Sequence, residues 1–324
     1  MHSELEAAKG MDKFLITGAG GFLGRYLCDR LKKTDCFIVG LDLDSVPPTR
    51  ADSWVKVNKG EDLANAVSEH RPDLVIHCAF INRKPGDWSD HRYLENTLSQ
   101  NLPIFRECAG EGTPILLISS SAVYGSAEGS SPIDENCPMK PVTLYGVAKV
   151  LQETLAQYYA AVDGLKLCIA RLFNLIGPGQ SPGMLLPDWV SRVSAIADGA
   201  EPVLKVRNRA TTRDFVDVRD ATRALELLLR NFHNGEVVNV ASGVPVTLKE
   251  LSDALEQLSP VPYQIVETDP AVSASDPVLH YGSNARLKAL YGWSPKIHWK
   301  QSLNDIWQAY RGKKTWEFPI KFCE

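Results

Sequence analysis

Three consecutive hydroxyls, Ser119, Ser120 and Ser121, close the apolar run PILLISSS (114–121) and lead into AVYG. Further along, Tyr145 and Lys149 stand four residues apart in the helical segment YGVAKVLQETLAQYYAAV (145–162), so they share one face. An ammonium beside a phenol stabilises phenolate and is expected to lower the pKa of Tyr145. Such a pair gives a proton donor and acceptor near neutral pH. A serine hydroxyl at the tip of the neighbouring strand can hold a substrate oxygen at the same spot. These side chains suit the transfer of one proton at an alcohol or carbonyl oxygen.

A second group suits a dinucleotide. TGAGGFLG (17–24) places Gly18, Gly21 and Gly24 where an apolar strand turns into a helix. Gly18 permits the tight turn, Gly21 lets backbone approach a pyrophosphate, and Gly24 lets helix pack on strand. The phosphates then meet the positive end of the helix dipole. The spacing is GxxGxxG, one residue off the commonest form. Asp42 follows Gly24 by 18 residues, at the end of the second apolar run. A carboxylate there hydrogen-bonds an adenosine ribose and repels a 2′-phosphate, which favours NAD(H). Asp44 is the competing carboxylate. Arg25, just past the last glycine, is placed to accept a phosphate and keeps NADP(H) open.

The elements that position these groups follow from the pattern. Apolar runs at 13–19, 36–42, 73–80, 114–121 and 165–173 read as strands, and amphipathic segments at 24–33, 61–70, 90–110 and 145–162 read as helices. Strands apolar on both faces, alternating with helices, predict a doubly wound α/β domain around a parallel sheet. After Asn174 the glycine- and proline-rich LIGPGQSPG reads as a loop. Beyond it, helices at about 184–198, 218–231 and 247–258, a strand pair at PVLKV and TTRDFVDV, and strands at EVVNVAS and YQIVET predict a smaller α+β lobe. The ending GKKTWEFPIKFCE stays unassigned.

Composition narrows the partners. The 324 residues carry a net charge of −4 and no polybasic run, which argues against nucleic acid and membrane surfaces. No apolar run approaches a spanning length, and the polar, acidic MHSELEAAKG is not a secretory signal. Seven scattered cysteines without a CxxC pair predict free, mostly buried thiols in a reducing cytoplasm. Neither HExxH nor a Cys/His cluster occurs, so no metal is implied.

With these residues in place, the chain resembles the extended short-chain dehydrogenase/reductases, the group of nucleotide-sugar epimerases, dehydratases and reductases. The resemblance rests on TGAGGFLG, VIHCAF, SSSAVYG, YGVAK, RLFNLIGPGQ, RDFVDVRD and the late YGW, over about residues 11–310. It implies a loose extension (1–10), a Rossmann dinucleotide-binding domain (11–174), an interleaved nucleotide-sugar-binding lobe (175–312) and a tail (313–324). It implies catalysis by Ser120, four residues before the tyrosine of VYG, with Tyr145 and Lys149. Ser121 would face the sugar and Ser119 would be structural. The implied cofactor set is Gly18, Gly21, Phe22, Leu23, Gly24, Asp42, Cys78, Ala79, Phe80, Tyr145 and Lys149, with HCAF lining the nicotinamide side. His77 in that motif reads as a satisfied core histidine. The two long helices at 90–110 and 145–162 imply a homodimer; the other reading is that they cover their own sheet.

Members that dehydrate a sugar carry acidic residues just after the serine, because elimination needs a base and an acid. Here Ser121 and Ala122 stand there, so a dehydratase is not expected. The later segments resemble the GDP-4-keto-6-deoxy-D-mannose reductase branch, which implies Asn174, Gln180 and Arg213 as contacts to the sugar or its diphosphate. A guanidinium suits that task through paired hydrogen bonds. That branch has a further arginine near DPVL. This chain has VSASDPVL, with Ser273 and Ser275, and Arg207 and Arg209 are the alternative cations. The resemblance thus leads to reduction of the C4 ketone of a nucleotide-linked 4-keto-6-deoxyhexose. An NAD-dependent 4-epimerase on a UDP- or GDP-hexose is the alternative, and an idle dinucleotide-binding regulator the remote one.

Overall fold

The computed structural model describes residues 12–43, 50–80, 89–126, 132–268 and 279–312. The extension, the tail, Asp44, Ser273, Ser275 and Cys323 lie outside the described residues.

The chain alternates strands and helices from its start. The order is β1 (Asp12–Thr17), α1 (Phe22–Leu31), β2 (Cys36–Asp42), β3 (Ser53–Lys56), α2 (Gly60–His70), β4 (Leu74–His77), α3 (Asp90–Glu111) and β5 (Ile115–Ser120). A 3₁₀ turn (Ser121–Tyr124) leads on to α4 (Leu144–Val162), β6 (Leu167–Leu172), β7 (Asn174–Ile176), α5 (Leu185–Ala197), β8 (Val203–Arg207), β9 (Thr212–Asp217) and α6 (Val218–Arg230). The last elements are β10 (Val237–Val240), β11 (Pro245–Thr247), α7 (Leu248–Leu258), β12 (Gln264–Thr268), β13 (Leu279–His280), α8 (Ala285–Tyr291) and α9 (Trp299–Arg311).

Seven strands form one sheet in the order β10-β6-β5-β4-β1-β2-β3. β1 pairs in parallel with both β2 and β4, so the order reverses beside β1. In doubly wound sheets ligands bind at such a reversal, outside the carboxyl ends of the strands. The expected Rossmann fold is therefore present. Apolar side chains on both faces of β1, β2, β4 and β5 are buried, as a sheet covered on each side requires.

The chain divides into two compact units. Among the described residues, the first comprises those within 12–119, 147–170 and 225–237, and the second those within 120–146, 171–224 and 238–312. The first is built on Leu15, Val39, Leu41, Val75, Ile104, Phe105, Ile115 and Ile169. The second is built on Ile176, Trp189, Leu204, Phe215, Leu251, Trp299 and Trp307.

The strands at PVLKV and TTRDFVDV do not pair with each other. β8 pairs in parallel with β12, while β9 pairs with β7, β11 and β13. The reason is burial. β8 alternates buried and open residues, as a strand with one wet face does, whereas β9 buries four residues in succession and needs neighbours. The loop expected from Leu175 likewise begins later, because β7 extends through Ile176 to pair with β9.

Cys28, Cys36, Cys108 and Cys168 are buried free thiols, and Cys78 and Cys137 are partly open. No helix among the described residues is long and apolar enough to cross a membrane.

Candidate active site

The glycine turn is built as the spacing implies. Gly18 has φ +67°, a conformation side chains disfavour, and a Cβ there would meet the Ala79 backbone at 3.0 Å. A Cβ on Gly24 would lie 2.2 Å from the Gly18 carbonyl oxygen and 2.7 Å from Ala19 Cα. The turn thus closes only around bare backbone. α1 starts at Phe22 without a side-chain cap or an acid in its first turn. Its first N–H groups, Phe22 and Leu23 among them, are therefore placed where an anion could satisfy them. Asp42 ends β2; its carboxylate accepts from Gly20 N and Leu43 N, both at 2.7 Å. Arg25 donates to the Gly20 carbonyl at 2.5 Å. This uncapped cradle, with an acid beside it, fits a nicotinamide dinucleotide.

Cys78, Ala79 and Phe80 follow β4 in the same unit. Lys149 is buried there, its Nζ 3.9 Å from the centroid of Phe80. That ammonium donates to Ile118 O at 2.9 Å and to Gln152 Oε1 at 3.0 Å. Desolvation pushes its pKa down to about 7, against the opposing influence of Cys78 and Glu153. His77 is a satisfied core histidine, held between Thr17 and Asn101.

In the second unit Ser120 caps the 3₁₀ turn, its Oγ accepting from Ala122 N at 3.2 Å. Gly146 lets the start of α4 approach that turn closely, since a Cβ there would lie 2.6 Å from the Ala122 carbonyl oxygen. The approach brings the Tyr145 hydroxyl into a hydrogen bond with Ser120. The Tyr145 side chain is 36% exposed, but its hydroxyl is enclosed, and desolvation raises the phenol pKa more than Ser120 lowers it. The lowering expected from Lys149 is therefore not realised. The ammonium one helical turn away is directed at Ile118 and Gln152, and burial prevails.

The remaining expected residues are spread over the second unit. Ser121 is buried at the head of the 3₁₀ turn. Asn174 Nδ2 donates to Asp214 O at 2.9 Å, and Arg213 donates to Thr212 O at 2.9 Å. Gln180 donates to Leu175 O, leaving its Oε1 buried without a hydrogen bond among the described residues. Arg209, one of the alternative cations, is bound to Asp253 and Ser252. Ser119 is structural, donating to buried Glu153 at 2.5 Å. Sequence reasoning missed Glu153, Gln152 and Asn101. Their helical register was the available signal, since Gln152 lies three residues after Lys149 and four before buried Ala156. Among the described residues no group of His, Cys, Asp and Glu is arranged to hold a metal ion.

The first unit carries the glycine cradle and a buried lysine, the second a serine-bound phenol, and each is a mark of one class. This is an NAD(P)-dependent enzyme of the extended short-chain dehydrogenase/reductase type. Residues 14–241 match the NAD dependent epimerase/dehydratase family, and the chain belongs to it. It is 30% identical over 304 residues to GDP-6-deoxy-D-mannose reductase of Pseudomonas aeruginosa, covering 91% of this chain and 95% of that one. It is 26% identical to UDP-glucose 4-epimerase of Azospirillum brasilense, covering 88% and 87%. The solved structure of RMD from Pseudomonas aeruginosa complexed with NADPH superposes with a TM-score of 0.78 at 29% identity, covering 94% and 100%. At the level of the family, the chain is a nucleotide-sugar-modifying enzyme.

Proposed function

We propose that the chain reduces the C4 ketone of a nucleotide-linked 4-keto-6-deoxyhexose, with GDP-4-keto-6-deoxy-D-mannose as the first substrate to test. The observation that carries this reading is the Ser120–Tyr145 hydrogen bond, with the phenol held protonated and no carboxylate at positions 121 and 122. A phenol hydrogen-bonded to a serine can give its proton to a carbonyl oxygen, as reduction requires. The likeness to GDP-6-deoxy-D-mannose reductase supports the same direction.

The chain's residues then divide the work. Gly18, Gly21, Gly24 and the first N–H groups of α1 hold the pyrophosphate, Asp42 the adenosine ribose, and Cys78–Phe80 with Lys149 the nicotinamide side. When bound, the reduced cofactor supplies a hydride to C4. Ser120 donates a hydrogen bond to the C4 carbonyl oxygen and orients it. Tyr145 gives its proton to that oxygen, so hydride and proton together convert ketone to alcohol. Asn174, Gln180 and Arg213 meet the sugar and its diphosphate, and the orphaned Gln180 Oε1 is an acceptor for a sugar hydroxyl.

NAD(H) is the favoured cofactor on the Asp42 carboxylate, while the NADPH complex of the Pseudomonas structure keeps NADP(H) as the competitor. The epimerase reading is favoured by Asp42 and by the UDP-glucose 4-epimerase likeness. A homodimer through α3 and α4 is supported by Leu102, Tyr158 and Val162, which are exposed on them. Sedimentation velocity tests that point. A reducing cytoplasm is the compartment in which the free thiols fit.

The deciding experiment supplies GDP-4-keto-6-deoxy-D-mannose with NADH or NADPH and follows nicotinamide absorbance. Stoichiometric oxidation with a 6-deoxyhexose product supports the reductase. No oxidation, with NAD recovered from the purified protein, transfers the reading to the epimerase.

A further inference from the structure

Five polar side chains lie in the core of the first unit, each at most 3% exposed: Thr17, His77, Asn101, Gln152 and Lys149. They form one chain. Ala79 N donates to Thr17 Oγ1 at 3.0 Å, and Thr17 Oγ1 meets His77 Nδ1 at 2.8 Å. His77 Nε2 meets Asn101 Oδ1 at 2.9 Å, and Gln152 Nε2 donates to the same oxygen at 2.7 Å. Gln152 Oε1 accepts from Lys149 Nζ at 3.0 Å.

The direction of every bond is fixed. Asn101 Nδ2 is committed to Thr97 O at 2.6 Å, so Oδ1 must face His77 and Gln152. His77 therefore carries its proton on Nε2 and accepts from the Thr17 hydroxyl on Nδ1. Gln152 presents its amide nitrogen to Asn101 and its oxygen to the ammonium. A flipped Gln152 amide would set NH₂ against NH₃⁺. Lys149 spends two N–H groups on Ile118 O and Gln152 and rests on the Phe80 ring.

We propose that Gln152, braced by Asn101, is a positioning residue that aims the Lys149 ammonium at the cofactor and ties it to the end of β4. This rests on the reading of Lys149 as the residue that meets the nicotinamide ribose. The far end of the chain is Ala79 N, and the Ala79 backbone is what Gly18 packs against. The lysine by hydrogen bonds and the glycine turn by packing are thus referenced to the same strand end.

The test is the pH dependence of cofactor affinity. The titratable groups that bear on Lys149 are Cys78 after β4, Glu153 on α4 and His77 on β4. Removing an oxygen that accepts from the ammonium disfavours the charged form, and a carboxylate in its place favours it. NADH and NADPH dissociation constants are measured by nicotinamide fluorescence on the full chain between pH 6 and 9.5. Gln152→Leu weakens binding about tenfold at pH 7 and moves the midpoint of the pH dependence to lower pH. Gln152→Glu keeps an oxygen for the ammonium but loses the bond to Asn101, so it weakens binding less than Gln152→Leu and moves the midpoint to higher pH. Asn101→Leu moves it in the same direction as Gln152→Leu, by less. If Gln152→Leu does not fold, the Gln152→Glu midpoint decides.

Unchanged affinity and midpoint in the folded variants overturn the proposal, as does a wild-type affinity that is flat across the range. Substrate turnover is measured separately. A wild type that binds cofactor but leaves the keto-sugar untouched refutes the reductase reading and leaves this test intact.

Discussion

The hydroxyl of Tyr124 donates to Asn239 Oδ1 at 2.7 Å, across 115 residues of sequence. Arg171 donates to the same hydroxyl at 3.0 Å, and Asn239 in turn donates to Ile133 O at 3.0 Å. The tyrosine of VYG is thus a buried structural hub in the second unit. Tyr124→Phe strands a carbonyl oxygen and a guanidinium N–H, at a cost of about 1–3 kcal/mol. Urea denaturation reads the loss, and the folded variant keeps wild-type turnover.

Tyr145→Phe has the opposite profile. Its ring stays and its proton goes, so turnover falls by about 10²–10⁴-fold while cofactor affinity and melting temperature hold. Ser120→Ala costs about 10²-fold, as loss of a donor to the reacting oxygen does. Single-turnover reduction compares the two, and a wild-type rate in Tyr145→Phe would remove the phenol from the chemistry.

The three glycines of the turn are not equivalent. A Cβ on Gly21 meets only the Gly18 carbonyl oxygen at 3.2 Å, and its φ of −71° suits any residue. Gly21→Ala therefore loses less stability than Gly24→Ala, and it loses cofactor affinity. Gly24→Ala drives a methyl into backbone at 2.2 Å and loses both. Thermal shifts with and without NADH separate the two outcomes.

Asp42→Asn removes a negative charge while keeping an oxygen to accept from Gly20 N. The ratio of NADPH to NADH affinity rises about tenfold, because a repulsion of about 1–2 kcal/mol disappears. Paired fluorescence titrations with the two cofactors measure it.

Burial holds the His77 pKa at about 4, below the ordinary 6.5. Between those pH values the unfolded chain binds a proton that the folded one refuses. Stability is therefore full above pH 6.5 and falls by about 3 kcal/mol as pH drops to 4. His77→Gln is less stable at pH 7 but loses less between pH 7 and 4.5. Urea midpoints at three pH values test the slope.

The Rossmann half was legible because a strand buried on both faces is apolar throughout, as ILLIS and LVIH are. The glycine turn, Asp42 and the Tyr145–Lys149 spacing were legible because their geometry is local. Three-residue strands such as β7 and β11 carry too few side chains to show a period, and they form because β9 needs partners. The wrong pairing of β8 with β9 has the same origin, since sequence proximity carries no information about which strand is central. Gln152 and Asn101 were missed for another reason. A polar residue on an amphipathic helix reads as solvent-facing, and only the register against Ala148 and Ala156 points it inward. The Tyr145 pKa was misjudged because spacing specifies a neighbour but not the direction in which an ammonium is aimed.

The buried thiols make the protein its own reporter. Cys28 sits on α1, Cys36 on β2, Cys108 on α3 and Cys168 on β6, so four elements of the first unit each carry one. Burial raises the pKa of Cys36 and pushes Cys108 and Cys168 up to about 12, so these thiols stay protonated and slow to alkylate while enclosed. Each reacts when its own element opens. Mass spectrometry of the unmodified protein, exposed to an alkylating reagent for increasing times, would give an element-by-element clock of local opening with no label introduced.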